Sequence, residues 1–246
     1  MKVVAIYEAS AMGDRKSMQD VMCSKIVGDT AYLGVFDGHG ESGGEVAEEA
    51  ASLFQERIEQ SDPGLDFKSK LGVVISCFED AATRMKDLPI ALASGTTATV
   101  ALVEEGQLAI AYVGDSEAVY YPDKGEPIKL VEPHSKNNQK EVARCERLGY
   151  PLKAKYFGGE LAVSRALGDT ELPFVISTPD IYQIQIEQPG TLVLASDGVW
   201  GPAARSNHMA VQKVEALGRL PIALVAVGSQ RTKDNASAIV TRINHC

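Results

Sequence analysis

No stretch of this 246-residue chain approaches the roughly 18–20 consecutive apolar residues of a membrane-spanning helix, so no membrane association is expected. Positive charge is also in short supply. The 24 Lys and Arg face 33 Asp and Glu, a formal charge of −9, which excludes a general binder of nucleic-acid phosphates but not a local basic pocket. The four cysteines, Cys23, Cys77, Cys145 and Cys246, form no C-x-x-C and no short-range pairing pattern. They read as reduced and packed, not as a disulfide framework. With no clustered Cys/His set among the four histidines and four cysteines, a zinc site is disfavoured too. Internal repeats and low-complexity segments are lacking. The opening "MKVVAIYEASAMG" mimics a cleavage site at Ala9-Ser10-Ala11, but its apolar stretch is only Val3 to Ile6 and Glu8 follows at once. A secretory signal is therefore not expected. These absences leave a soluble, intracellular protein, cytoplasmic with the nucleus left open.

What is present is an ordinary globular composition, 45% hydrophobic and 23% charged, with enough chain for a core of useful size. Strand-like runs occur at Val3–Glu8, Val21–Val27 and Ala31–Asp37. Two amphipathic helices are predicted next. In 41–59 the apolar positions Val46, Ala47, Ala50, Leu53, Phe54 and Ile58 recur at three and four; in 65–87 Phe67, Leu71, Val74, Ile75, Phe78, Ala82 and Met85 do the same. Thr97–Val103 and Gln107–Val113 flank Glu104-Glu105-Gly106 as a hairpin. "IYQIQIE" alternates, with Tyr182, Ile184 and Ile186 on one face, whereas "TLVLASD" is apolar on both faces, as a central strand would be. Helices are predicted around Asn207–Leu217 and Pro221–Gln230, and a last strand at Ala236–Ile243. The order of strands, two helices, strands, two helices and strand lacks the alternation of a doubly wound parallel sheet. It fits one α+β domain over 1–246, with largely antiparallel sheets and paired helices outside. The polar region 132–157, with a short helix near Gln139–Leu148, reads as an inserted surface flap.

The chemistry lies in acidic residues at strand edges. Asp37 follows the apolar run of "LGVFDGHGES"; Asp115 in "AYVGDSEA", Asp197 in "LVLASDGVW" and Asp234 in "TKDNASAIV" share its setting. Asp37 and Asp197 each precede a glycine, which lets backbone approach a ligand. A single such aspartate is usually a turn residue. Four in the same placement suggest a shared role. If they converge, they cannot all be ionised without a counter-charge, and hard divalent cations such as Mg²⁺ or Mn²⁺ suit such oxygens.

Seven blocks, "RKSMQD", "GVFDGHGE", "SGTTATVAL", "AYVGDSEAV", "LAVSRALGD", "LVLASDGVW" and "KDNASAIV", together resemble the metal-dependent protein Ser/Thr phosphatases of the 2C type, in family order over nearly the whole chain. The resemblance implies a four-layer αββα sandwich with its metal site at one end. It implies two Mg²⁺ or Mn²⁺ ions bridged by Asp37, with the Gly38 carbonyl on the second and Asp197 and Asp234 on the first. Asp20 would hold water from outside the inner ligands. His39 would protonate the departing Ser or Thr oxygen, and Arg15 would fork onto the phosphate. Asp115 with Asp197 is a candidate for a third, weaker ion. The implied mechanism is direct attack of a metal-bound water on phosphorus, without a phosphoenzyme. Phosphorylated proteins would be the partners, and a monomer is expected.

The chain departs from the family pattern in several places. Gln19 stands where the family has Glu, and Gly201-Pro202 where an Asp is common. Glu117 replaces an arginine, Pro133-His134 replaces an Asp-His pair, and Gly149-Tyr150 replaces paired glycines. An active phosphatase is therefore weighed against a catalytically weak or inactive relative serving as a binding or regulatory module. An unrelated metal hydrolase such as a nuclease is disfavoured by the acidity and the block order. Gln19 keeps an oxygen but loses a negative charge near the second ion. Gln19→Glu should therefore lower the Mn²⁺ concentration for half-maximal activity by about tenfold; superimposable titration curves for parent and variant would discard the idea.

Overall fold

The computed structural model describes residues 1–200 and 233–245. The predicted helices at 207–217 and 221–230, and Gly201-Pro202, lie outside the described residues. In chain order the elements are β1 (Lys2–Ala11), β2 (Asp20–Val27), β3 (Thr30–His39), α1 (Gly43–Glu59), α2 (Phe67–Lys86), β4 (Gly95–Thr96), β5 (Ala98–Glu104), β6 (Gln107–Val113), β7 (Glu117–Pro122), β8 (Ile128–Lys129), α3 (Gln139–Arg147), β9 (Leu152–Lys153), β10 (Tyr156–Phe157), β11 (Leu167–Gly168), β12 (Asp180–Gln185), β13 (Gly190–Ala195), α4 (Asp197–Trp200) and β14 (Ala236–Asn244).

Local signals account for most of these boundaries. Asp66 caps α2 by accepting from the Ser69 N–H at 2.7 Å, and Asn138 caps α3 from Lys140 and Glu141. The hairpin between β5 and β6 turns on Glu105 and Gly106, both at positive φ, as a tight two-residue turn demands. One boundary differs from the sequence reading. β3 does not stop at Asp37 but runs on through Gly38 and His39, because these two residues pair with Thr96 and Gly95 of β4. Another difference concerns β12, an edge strand whose Tyr182 is 41% exposed, while Ile184 and Ile186 pack inward. Alternation placed these residues on one face, but an edge position leaves part of that face uncovered.

Two largely antiparallel sheets stack face to face. One has the order β1-β14-β13-β7-β8; the other runs β11-β4-β3-β5-β6-β12, with β2 paired to β3. Between them lie Leu33, Val35, Leu108, Ile110, Leu192, Leu194 and Ile239. β13 is central and fully buried, as its two-sided apolar pattern predicts. The outer face of the second sheet is covered by α1 and α2, where Phe54 meets Phe36 and Phe78 edge-on at 5.4 and 5.0 Å. A buried ion pair of Lys70 with Glu104, shared with Thr30, ties α2 to the β5–β6 hairpin. The outer face of the first sheet carries Val119, Val193, Val240 and Trp200. Helices, sheet and sheet form three of the four expected layers; the fourth falls outside the described residues. Among the described residues no helix is long and apolar enough to cross a membrane.

The flap packs a small cluster of its own, Cys145, Phe157 and Phe174, so its packing runs on past residue 157. Its root is fixed by buried Glu141. Burial pushes this carboxyl up, but Arg165, Ser164 and Arg144 donate to it and hold it down at about 2. Phe54 sits in the middle of the helix–sheet layer. Phe54→Ala is expected to destabilise the fold by about 3–5 kcal/mol, read as a lower midpoint in urea denaturation.

Candidate functional site

Both sheets deliver their acidic residues to one end of the sandwich. Asp20 opens β2 and pairs directly with Asp37 on β3. Asp197 follows β13, Asp234 precedes β14, and Asp115 lies between β6 and β7. Asp37, Asp115, Asp197 and Asp234 line one cleft of about 440 Å³, together with Arg15, Gln19, Gly38 and His39. Asp20 lies behind it. Its Oδ2 accepts from Ser196 Oγ at 2.8 Å, and its buried Oδ1 has no partner. The nine residues singled out in the sequence thus meet at one place.

A shared backbone frame holds them. Thr97 Oγ1 accepts from the Asp37 N–H, contacts Ser116 Oγ at 2.8 Å and so links Asp37 to the loop of Asp115. Asn235, next to Asp234, accepts from the Gln19 N–H and donates to the Met12 and Ser17 carbonyls. That clamp places the loop carrying both Arg15 and Gln19. A Cβ on Gly38 would lie 2.3 Å from the Gly43 carbonyl oxygen, so only glycine allows this approach.

Electrostatics mark the cleft. Burial first, then Asp20, Asp197, Asp115 and Asp234, push the Asp37 carboxyl well above the ordinary range. Asp115 is pushed up to about 7 by burial and then by Asp197, with His39 acting the other way. Burial brings Asp20 to about 6, and burial and Asp234 raise Asp197. The compensating cations come from two sides. Arg15 donates to Asp234 at 2.6 Å, and Lys155, at the tip of the β9–β10 hairpin of the flap, lines the same cleft and lowers Asp197. Gln19 donates its amide to the Gly40 carbonyl at 2.8 Å.

These donors are the hard oxygens that Mg²⁺ and Mn²⁺ prefer. The orphaned Asp20 Oδ1 and the raised carboxyl of Asp37 both call for a cation. Among the described residues, no three His, Cys, Asp or Glu side chains are gathered tightly enough to hold one, and Asp234 is turned to Arg15. In donor type and charge the residues fit the ions.

Sequence reading missed two residues here. His39 Nε2 lies 2.6 Å from Oδ2 of the buried Asp169, which was visible only as the end of "LAVSRALGD". Lys155 lay in a segment legible as a flap but not as part of the site. His134 is buried, stacked on Tyr112 at 5.0 Å, and its Nδ1 accepts from the Gly114 N–H beside Asp115. Glu117 pairs with Lys129 at 2.7 Å and lines an adjoining cleft of about 420 Å³ with Asp115 and Asp197. A larger cavity, about 800 Å³, lies between α2 and residues 168–181 and is mostly apolar; of the acidic groups above it reaches only Asp169.

The family profile of protein phosphatase 2C matches residues 8–214. The chain belongs to the protein phosphatase 2C family. A rice (Oryza sativa subsp. japonica) relative, the probable protein phosphatase 2C member 13, mitochondrial, is 32% identical over 96% of this chain and 68% of its own. The Arabidopsis thaliana probable protein phosphatase 2C 43 is 36% identical over 69% of this chain and 44% of its own. The chain thus spans between 44% and 68% of the length of these relatives. Among solved structures, the Staphylococcus aureus serine/threonine phosphatase Stp1 matches with a TM-score of 0.78 at 17% identity, over 100% of this chain and 98% of that one. The serine-threonine phosphatase 2C from Toxoplasma gondii gives 0.77 at 19% identity, over 98% and 97%. At these identities the structures establish the 2C-type fold.

The raised carboxyls predict a pH signature in the metal-free protein. Between the ordinary carboxylate value, roughly 4, and about 7 for Asp115, the folded chain holds protons that the unfolded chain has released. Stability therefore falls as pH rises through that window. In a chelator, Asp115→Asn should stabilise the protein by about 1 kcal/mol or more at pH 8, by less at about pH 5, and leave it unchanged only below the ordinary carboxylate value of roughly 4. Equal Tm shifts across these pH values would contradict this.

Proposed function

We propose that this chain hydrolyses phosphoserine and phosphothreonine in protein substrates, with two Mg²⁺ or Mn²⁺ ions held by Asp37, the Gly38 carbonyl, Asp197 and Asp234. The observation that carries this reading is the meeting of four aspartates from two sheets with Arg15 and His39 in one cleft. When bound, the ions would activate the attacking water and neutralise charge on the phosphoryl group.

The chain's own residues do the rest. Arg15 forks onto two phosphate oxygens and sets the ester for in-line attack. His39 gives its proton to the seryl or threonyl oxygen as the P–O bond breaks, so the products are a hydroxyl side chain and inorganic phosphate. Asp20 holds water at the edge of the metal site. Lys155 and Tyr156 roof the cleft from the flap and limit water access over the ester. Asp115 would hold a third, weaker ion with Asp197. The free, buried Cys23, Cys77 and Cys145 support an intracellular setting.

A second reading, a weak or inactive relative that binds phosphoproteins, is favoured by the amide at Gln19 and the Arg15–Asp234 bridge. Hydrolysis of p-nitrophenyl phosphate separates the two. The parent chain should turn over with Mn²⁺, and Asp37→Ala should fall below about 1% of that rate, a loss of several kcal/mol of charge stabilisation. No turnover at any Mn²⁺ or Mg²⁺ concentration supports the binding module.

A further inference from the structure

The pairing of His39 with Asp169 is built by three strands. β4 lies between β3 and β11, and Gly95 on β4 stands opposite both His39 and Gly168. A Cβ at Gly95 would lie 2.2 Å from Asp169 Oδ2 and 2.8 Å from His39 Nε2. The middle strand therefore carries no side chain at the one point where the imidazole and the carboxylate reach across it. Gly168 and Asp169 both have positive φ, which is uncommon for a residue other than glycine and is met at functional sites. Three successive backbone bonds hold this turn: Asp169 N–H to the Ser94 carbonyl, Thr170 N–H to Ala91 and Glu171 N–H to Leu92. Asp169 itself is 3% exposed. A group that buried and that firmly seated fixes whatever it touches.

We propose that Asp169 is a positioning residue for His39: it anchors Nε2, fixes the ring's orientation and tautomer, and leaves Nδ1 as the nitrogen that faces the cleft. A carboxylate only accepts hydrogen bonds, so Nε2 carries a proton toward Asp169. The protonated imidazole then delivers its second proton, from Nδ1, to the departing alkoxide as the P–O bond breaks. The ring is left neutral and still bound to Asp169. Gly95 is part of the same device, since any side chain there would separate the pair. The proposal rests on the phosphatase reading above and adds the group that makes His39 effective.

The test uses leaving groups of different need. A phosphothreonine peptide releases a strongly basic alkoxide that requires the proton, whereas p-nitrophenyl phosphate releases a stable phenolate that does not. Asp169→Ala in the full chain with saturating Mn²⁺ should lower kcat on the peptide by about a hundredfold, with KM within about twofold. On p-nitrophenyl phosphate the loss should be far smaller. His39→Ala should show the same split, and the double variant should be no worse than His39→Ala alone. Equal losses on both substrates, or losses that multiply in the double variant, overturn the proposal. Asp169→Asn, nearly isosteric, carries the same test if the alanine variant does not fold.

Ring ¹⁵N spectra of His39 read the assignment without turnover. In whatever fraction of the parent is neutral the ring proton should sit on Nε2, and Asp169→Ala should show mixed tautomers. An unchanged ring in the variant overturns the proposal. A parent that hydrolyses neither substrate, while its spectrum shows the expected tautomer, sinks the phosphatase reading and leaves the His39–Asp169 pairing standing.

Discussion

Mutual repulsion among carboxylates at one end of a β-sandwich is the constraint around which the rest of this molecule is arranged. Asp20 and Asp37 are direct cross-strand neighbours, a pairing that costs stability wherever both are ionised. Asp115, Asp197 and Asp234 add to the same field, and burial adds to the effect on each of the first two. A fold that keeps such a cluster needs positive charge there. The molecule supplies part of it from Arg15 and Lys155, and the cleft has the oxygens to take the rest from divalent cations.

The sandwich makes this cluster possible because it separates the work of packing from the work of chemistry. Leu33, Val35, Leu192 and Leu194 fill the interface between the sheets, and their strands carry the chain to the rim where Asp37 and Asp197 stand. Short hydrogen-bonded devices then set positions at the rim: Thr97 joins Asp37 to Ser116, and Asn235 ties the Arg15 loop to the start of β14. The flap is rooted separately through Glu141, Arg144 and Arg165. Its tip therefore reaches the cleft from a clamped base.

Much of this was legible in the sequence, for physical reasons. Apolar periodicity found α1 and α2 because each buries a single stripe against a sheet. The two-sided apolar run found β13 because it is covered on both faces. The acidic strand ends were visible because four aspartates repeat one placement at the edges of apolar or strand-like runs. Tertiary pairing was not legible. β3 runs through His39 only because two residues of a distant segment pair with it, and nothing local announces that. Asp169 stayed hidden for the same reason: it is 130 residues from His39, and its role exists only once β4 lies between them. Lys155 stayed hidden within the polar flap, since one lysine there has no pattern that points at a distant aspartate.

Gln19 sits on the other side of the electrostatic balance. A glutamate there would put another negative charge into a field that already raises four aspartates, and it would face the Gly40 carbonyl with an oxygen instead of the amide N–H that now donates to it. The glutamine therefore relieves the cation-free molecule twice, by removing a charge and by gaining a hydrogen bond. Both gains weigh against cation binding, because the affinity of such a site rests on the negative charge its ligands carry. The same residue that eases the folded chain without cations would weaken its hold on any divalent ions that the cluster takes up. Arg15 acts in the same direction, since its bridge to Asp234 would have to be given up before that carboxylate could turn to a metal.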